Sequence, residues 1–221
     1  MKNKSLLLAL LALASVRVMA ASALELGQGS PYYGWYDAGV AYIQDAELTS
    51  FFDEAVAGAK VAFDPGFRVG LGVGYRFTKV LSGELEAGFQ YNTLKSIEGA
   101  ARSEARMYQV PLMANLVLQL FNKTRLVPFL SAGVGSFFAY LDADDVWIGG
   151  TRISDSSDCF TFAYQGTAGL RYDFSGALGL GLSYRYSVAD APAWKYSDPE
   201  GVMKLDAMHN HAGCIHFGFR F

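Results

Sequence analysis

Residues 67–77 alternate without a break. Phe67, Val69, Leu71, Val73, Tyr75 and Phe77 are apolar or aromatic, and Arg68, Gly70, Gly72, Gly74 and Arg76 lie between them. Successive side chains of a β-strand point to opposite faces, so this run dictates a strand with one greasy face and one face of glycine and arginine. Its length is the constraint. A strand in a soluble sheet averages about five or six residues. A strand tilted across a bilayer needs roughly 9–11.

The same alternation recurs, and it predicts eight strands, at 32–44, 66–77, 82–94, 105–121, 126–141, 159–174, 177–188 and 211–221, the first being the least regular. No helical apolar stripe of useful length accompanies them. Short turns follow the second, fourth and sixth strands (78–81, 122–125 and 175–176), and long polar loops follow the others (45–65, 95–104, 142–158 and 189–210). Short turns at one end and long loops at the other are the layout of an outer-membrane barrel. The expected fold is all-β: an eight-stranded antiparallel up-and-down transmembrane β-barrel. An even strand count puts both ends on the short-turn, periplasmic side and the loops outside.

Composition agrees with lipid as the solvent of one face. Hydrophobic residues make up 52%, aromatics 14% and charged residues only 18%, with 24 glycines. Outward candidates are Phe160, Phe162, Tyr164, Ala168, Leu170, Tyr172 and Phe174 on the sixth strand. Leu178, Leu180, Leu182, Tyr184 and Tyr186 follow on the seventh, and Ile215, Phe217, Phe219 and Phe221 on the eighth. Their aromatics crowd toward strand ends, as interface girdles do. Inward positions carry Asp37, Arg68, Arg76, Glu84, Glu86, Arg171, Asp173, Arg185 and Arg220, together with Gln90, Asn115 and His216. Buried charges must be paired. Five arginines against four carboxylates therefore predict a salt-bridge network filling a narrow lumen.

Ahead of the strands, Lys2 and Lys4 precede the apolar run Leu6–Ala14, and two small-residue sites follow, Val18-Met19-Ala20 and Ala21-Ser22-Ala23. That pattern predicts a signal peptide over residues 1–20, cut after Ala20 or Ala23, that exports a barrel domain of residues 24–221 to the outer membrane. The run is too short to span a bilayer as a helix, and no Cys at either site offers a lipoprotein anchor. Loss of Lys2, Lys4 and Arg17 takes the net charge from −3 to −6, which argues against nucleic acid as a partner.

Four stretches carry a family likeness: Pro65 to Tyr75, Tyr108 to Leu116 (YQVPLMANL), Pro128 to Gly135 (PFLSAGVG) and His216 to Phe221 (HFGFRF). In this order they resemble the small OmpA/OmpX-type outer-membrane β-barrel domain over essentially the whole mature chain. The resemblance implies that Phe217, Phe219 and Phe221 present an assembly signal to the barrel-assembly machinery after escort by periplasmic chaperones. It also implies surroundings of outer-membrane lipid and lipopolysaccharide. With Phe221 last, the peptidoglycan-binding domain of some relatives is not expected.

Each remaining motif has a bland reading. Pro128 opens its strand, and Pro111 lies inside one, where a bulge is expected to accommodate it. His209 and His211 share a face, and Asp190 or Asp206 would complete a metal site, but spacing alone fixes no set of ligands. A lipid-modifying enzyme needs a nucleophile beside a histidine, and His216 stands next to Gly218 instead. Asp142, Asp144, Asp145, Asp155 and Asp158 lack calcium-loop spacing and read as solvated loop charges. Cys159 and Cys214 both face inward, at heights that disfavour a disulfide. No catalytic residue, metal or cofactor is expected. The functional expectation is a structural or adhesin-like role carried by the loops on a plugged barrel, against two alternatives: a narrow small-solute pore and a lipid-modifying enzyme.

Overall fold

The computed structural model describes residues 30–51, 59–120, 124–148, 151–175, 177–197 and 200–220. The expected signal segment and Phe221 lie outside these residues. Thirteen strands are found among them. They are β1 (Tyr32–Ile43), β2 (Ala46–Phe51), β3 (Lys60–Phe63), β4 (Gly66–Arg76), β5 (Leu81–Ile97), β6 (Ala100–Gln119), β7 (Leu126–Ile148), β8 (Thr151–Ile153), β9 (Ser156–Asp173), β10 (Leu178–Ala189), β11 (Ala193–Ser197), β12 (Glu200–Leu205) and β13 (Met208–Arg220).

Eight of them close a ring. The antiparallel neighbours run β5-β4-β1-β13-β10-β9-β7-β6, and β6 pairs back to β5. This is the eight-stranded up-and-down barrel that the alternation predicts. Closure satisfies every wall strand's backbone along both edges, which lipid demands.

The outer wall is apolar between two aromatic belts. At the short-turn end stand Tyr32–Tyr75 (ring centroids 5.1 Å apart), Tyr36–Phe217 (4.8 Å) and Tyr172–Phe174 (5.2 Å). Toward the other end, Phe67, Tyr91, Tyr108 and Tyr140 follow one another around the wall with centroids 5.2–6.0 Å apart. Between the belts Leu85, Leu116, Val134, Leu182 and Ile215 are exposed. Eight residues of β4 separate Tyr75 from Phe67. At ~3.3 Å per residue and a tilt near 40°, that is a band of roughly 20 Å, close to the apolar height of outer-membrane barrels.

Pro111 corrects one expectation. It makes no bulge: the β5–β6 register is the same on both sides of it, and the ladder merely lacks the pairs opposite Gly88 and Phe89. A Cβ on Gly88 would lie 2.9 Å from the Pro111 ring, so glycine makes the room that a bulge would otherwise make. Pro128 sits near the start of β7, paired with Leu170.

The long connections are the larger correction. Among the described residues, strands run through them where polar loops were expected. β2 and β3 continue the lines of β1 and β4 past short breaks, and β11 and β12 continue β10 and β13. β3 pairs with the top of β5 (Val61↔Ile97), β2 with β3 and β12, and β12 with β11. β5, β6, β7 and β9 extend beyond their expected limits to meet them. The result is a turret of wall that carries the barrel upward. From Tyr140 to Ile148, β7 rises on the order of 20 Å above the belt.

The seam between β9 and β11 has side-chain links. The Ser157 hydroxyl donates to the Lys195 carbonyl at 2.6 Å, and the Thr161 hydroxyl donates to the Asp190 carbonyl. Ala191, beside it, has a φ of 29°, and Pro192 follows.

Candidate functional site

The interior is stacked in tiers, and inward parity along the strands decides which residue enters which tier. Midway up lies a charge cluster. Arg185 of β10 donates to Glu86 of β5 at 2.8 Å and to Asp37 of β1 at 3.1 Å. Arg68 of β4 bonds Glu86 and lies 3.9 Å from Asp37. Glu86 also accepts from Asn115 (2.9 Å) and Gln165 (2.8 Å). The carboxylates are fully buried and the guanidiniums 2–6% exposed. Both carboxylates are therefore paired and hydrogen-bonded, the condition under which buried charge is tolerated.

Toward the short-turn end, Tyr33 and Trp35 donate to the two oxygens of Glu84 at 2.6 and 2.9 Å. Trp35 lies over Gly72, where a Cβ would be 2.6 Å from its ring. His216 stands between Trp35 and Phe129, with centroids 5.5 and 5.1 Å away. At the rim, Arg171 and Arg220 each donate to Asp173 at 2.7 Å, and Arg76 donates to the Ser30 carbonyl at 3.0 Å.

Above the charge cluster the chemistry changes. Gln90 donates to Asn92 at 3.0 Å and to Asn210 at 3.1 Å, which makes a tier of amides. Gln109, 1% exposed, has no partner for either amide atom. Higher still, the interior is mostly apolar, with Ser157 and the Tyr196 hydroxyl buried in it. Val61, Phe63, Leu94, Ile97, Met107 and Leu141 are among the residues around a space of about 320 Å³ that includes its opening to solvent. Trp194, at 0% exposure, fills the turret core and donates to the Ala139 carbonyl at 3.1 Å.

This geometry agrees with the comparisons. The model of the outer membrane protein beta-barrel domain family matches residues 6–221. The chain belongs to that family. Solved structures place it among small outer-membrane barrels. OprG of Pseudomonas aeruginosa has a TM-score of 0.59 at 14% identity, covering 88% of this chain and 99% of that one. AlkL has a TM-score of 0.54 at 13% identity (89% and 93% covered). Neisserial surface protein A has a TM-score of 0.53 at 16% identity (87% and 98% covered). At such identities the likeness is one of fold. A search of curated proteins found no match.

The family is one of outer-membrane barrels, and such barrels keep short turns on the periplasmic side and long connections outside; by that rule the turret end is the extracellular one. The remaining sequence candidates can now be located. His209 and His211 face outward in the upper belt, hydrogen-bonded to Tyr186 (2.5 Å) and Tyr184 (2.7 Å). Neither Asp190 nor Asp206 joins them, and among the described residues no group of three His, Cys, Asp or Glu gathers as metal ligands. The acidic run at 142–158 is engaged rather than simply solvated. Arg106 bonds Asp144 at 2.9 Å, Asp145 accepts from Trp147 and Arg152, and Asp155 caps the Ser156 amide at 2.7 Å. Cys159 belongs to the turret core, Cys214 lies beside Ala41 and Ala212, and both are free thiols. Phe217 and Phe219 lie on the outer wall beside Tyr36.

Sequence reasoning missed Tyr33, Trp35, Asn92, Gln109, Gln165, Trp194 and Asn210. The signal for several was parity. Trp35 shares the inward phase of Asp37, and Gln109 that of Asn115.

Proposed function

We propose that this outer-membrane barrel is non-conducting and presents its turret for contact at the cell surface, after export by a signal peptide and insertion by the barrel-assembly machinery. One observation carries the reading. The turret buries its apolar side chains inside and turns Glu47, Thr49, Lys60, Lys95, Lys195 and Lys204 outward. A surface held on paired strands is preorganised, so binding a partner costs little ordering entropy. The charge cluster fills the lumen at mid-height, which supports neither a solute path nor a pore role. His216 lies between aromatic rings rather than beside a nucleophile, which lends no support to an enzyme.

The test is surface binding. Purified barrel, intact or with residues 46–63 and 193–205 replaced by short turns, is applied to host extracellular matrix and to sulfated glycans. Saturable binding lost with the turret supports the reading. Binding that survives turret removal contradicts it.

The apolar turret interior favours a second reading, uptake of an apolar molecule from outside, with Gln109 at the floor of the chamber. Saturable quenching of Trp194 fluorescence by a brominated alkane would distinguish it.

A further inference from the structure

The periplasmic end of the lumen holds a space of about 680 Å³ including its open mouth. It reaches from Arg220 and Ser175 at the rim to Glu86 and Arg185 of the charge cluster. Arg76, Arg171 and Arg220 line its outer part, where Asp173 bonds both Arg171 and Arg220. Glu84, deeper in, gives both oxygens to Tyr33 and Trp35 rather than to a guanidinium.

Two groups in this vestibule have ring or guanidinium nitrogens without a partner among the described residues. Arg171 and His216 sit on β9 and β13 in one cross-strand row, opposite Gly181 of β10, which contributes no side chain between them. Arg171 donates through Nε to Asp173 (2.7 Å) and through Nη2, weakly, to Gln119 (3.4 Å). Among the described residues its Nη1 makes no hydrogen bond, and it lies 3.6 Å from where a Cβ on Gly218 would be. His216 is 8% exposed, is clamped between Trp35 and Phe129, and has no hydrogen-bond partner at either ring nitrogen among the described residues. Arg76 lines the same space with a buried Nε that has no partner. Guanidinium and ring N–H donors without partners around one space are what binds an oxyanion.

We propose that this vestibule is a binding site for a small oxyanion of the phosphate or carboxylate class, entering from the periplasm. Arg171 Nη1 and His216 hold it across Gly181, and Arg76 closes the outer side. The role is distinct from that of the turret, at the opposite end of the molecule.

The site contains its own reporter. The Trp35 indole lies in the vestibule, whereas Trp147 and Trp194 lie in the turret. The full barrel, refolded in nanodiscs, is titrated with inorganic phosphate, and in a second arm with acetate, replacing chloride at constant ionic strength. Indole N–H signals are followed by NMR. The expected result is a saturable shift of the Trp35 signal while Trp147 and Trp194 stay still. Saturation with phosphate alone, acetate alone or both identifies the anion class. His216→Gln and Arg76→Gln should each weaken binding about tenfold, the scale of one charge-assisted hydrogen bond. Retained heat-modifiable gel migration certifies that each variant is folded. A Trp35 signal that never saturates, that moves together with the other two, or that responds equally in both folded variants overturns the proposal.

Discussion

Arg185 Nη1 meets Glu86 Oε2 at 2.8 Å from the diametrically opposite strand of the ring. Four ring steps separate β10 from β5 in either direction, so this contact ties the barrel across its full width. Glu86→Gln leaves Arg68 and Arg185 buried with Asp37 as their remaining carboxylate. Breaking a buried pair costs about 3–5 kcal/mol. Adding Arg185→Met to Glu86→Gln should cost clearly less than the sum of the two singles. Urea unfolding in bilayers, read by gel migration, measures this, and simple additivity would deny the coupling.

Trp194→Ala removes the largest fully buried side chain of the turret. The cost should be about 3–5 kcal/mol, and it should fall on the turret. Proteinase K applied to intact cells is expected to nick the variant within 190–207 while the heat-modifiable barrel persists. A variant that loses the whole barrel would mean that turret and wall unfold as one unit.

Tyr196, also in the turret, predicts an alkaline weakness. Burial, helped by Asp155, pushes its hydroxyl well above its ordinary value of 10.0. The folded state thus holds the proton that the unfolded chain releases. Stability from this group is complete below about pH 10 and is lost as pH rises through and beyond it. Protease sensitivity of the turret should rise above pH 10, and Tyr196→Phe should abolish that rise. Identical alkaline profiles for the two proteins would contradict this.

Lipid contact is tested at Leu182, 68% exposed between the two belts. Leu182→Arg should destabilise the barrel by about 2–4 kcal/mol, as charge does on the lipid face near mid-bilayer. Lys204→Ala, outside on the turret, should stay within about 0.5 kcal/mol. Equal effects would move the membrane boundary assigned here.

The strand faces were legible because period-2 patterning does not depend on partners. Phe67 to Phe77 show their phase without any neighbour in view. Register was not legible. That Arg185 meets Glu86 rather than Glu84 depends on stagger between strands four places apart, which no local pattern encodes. The turret left a signal that read as loop. Leu48, Val61 and Phe63, like Trp194 with Tyr196 and Met203 with Leu205, alternate over only four to six residues. Such runs are too short to cross a bilayer and become meaningful only once they are seen to continue β1, β4, β10 and β13. The shift from charged to apolar interior has the same origin. Met107 and Gln109 share one face, and only their height in the barrel separates their roles.

Asp37, Arg68, Glu86 and Arg185 close the lumen at mid-height, and the role proposed for the protein is directed outward. Single-channel recording of the refolded barrel in planar bilayers tests it most directly. A silent membrane under applied voltage is the predicted result. Stable, discrete, ohmic conductance steps from the wild-type protein would contradict it.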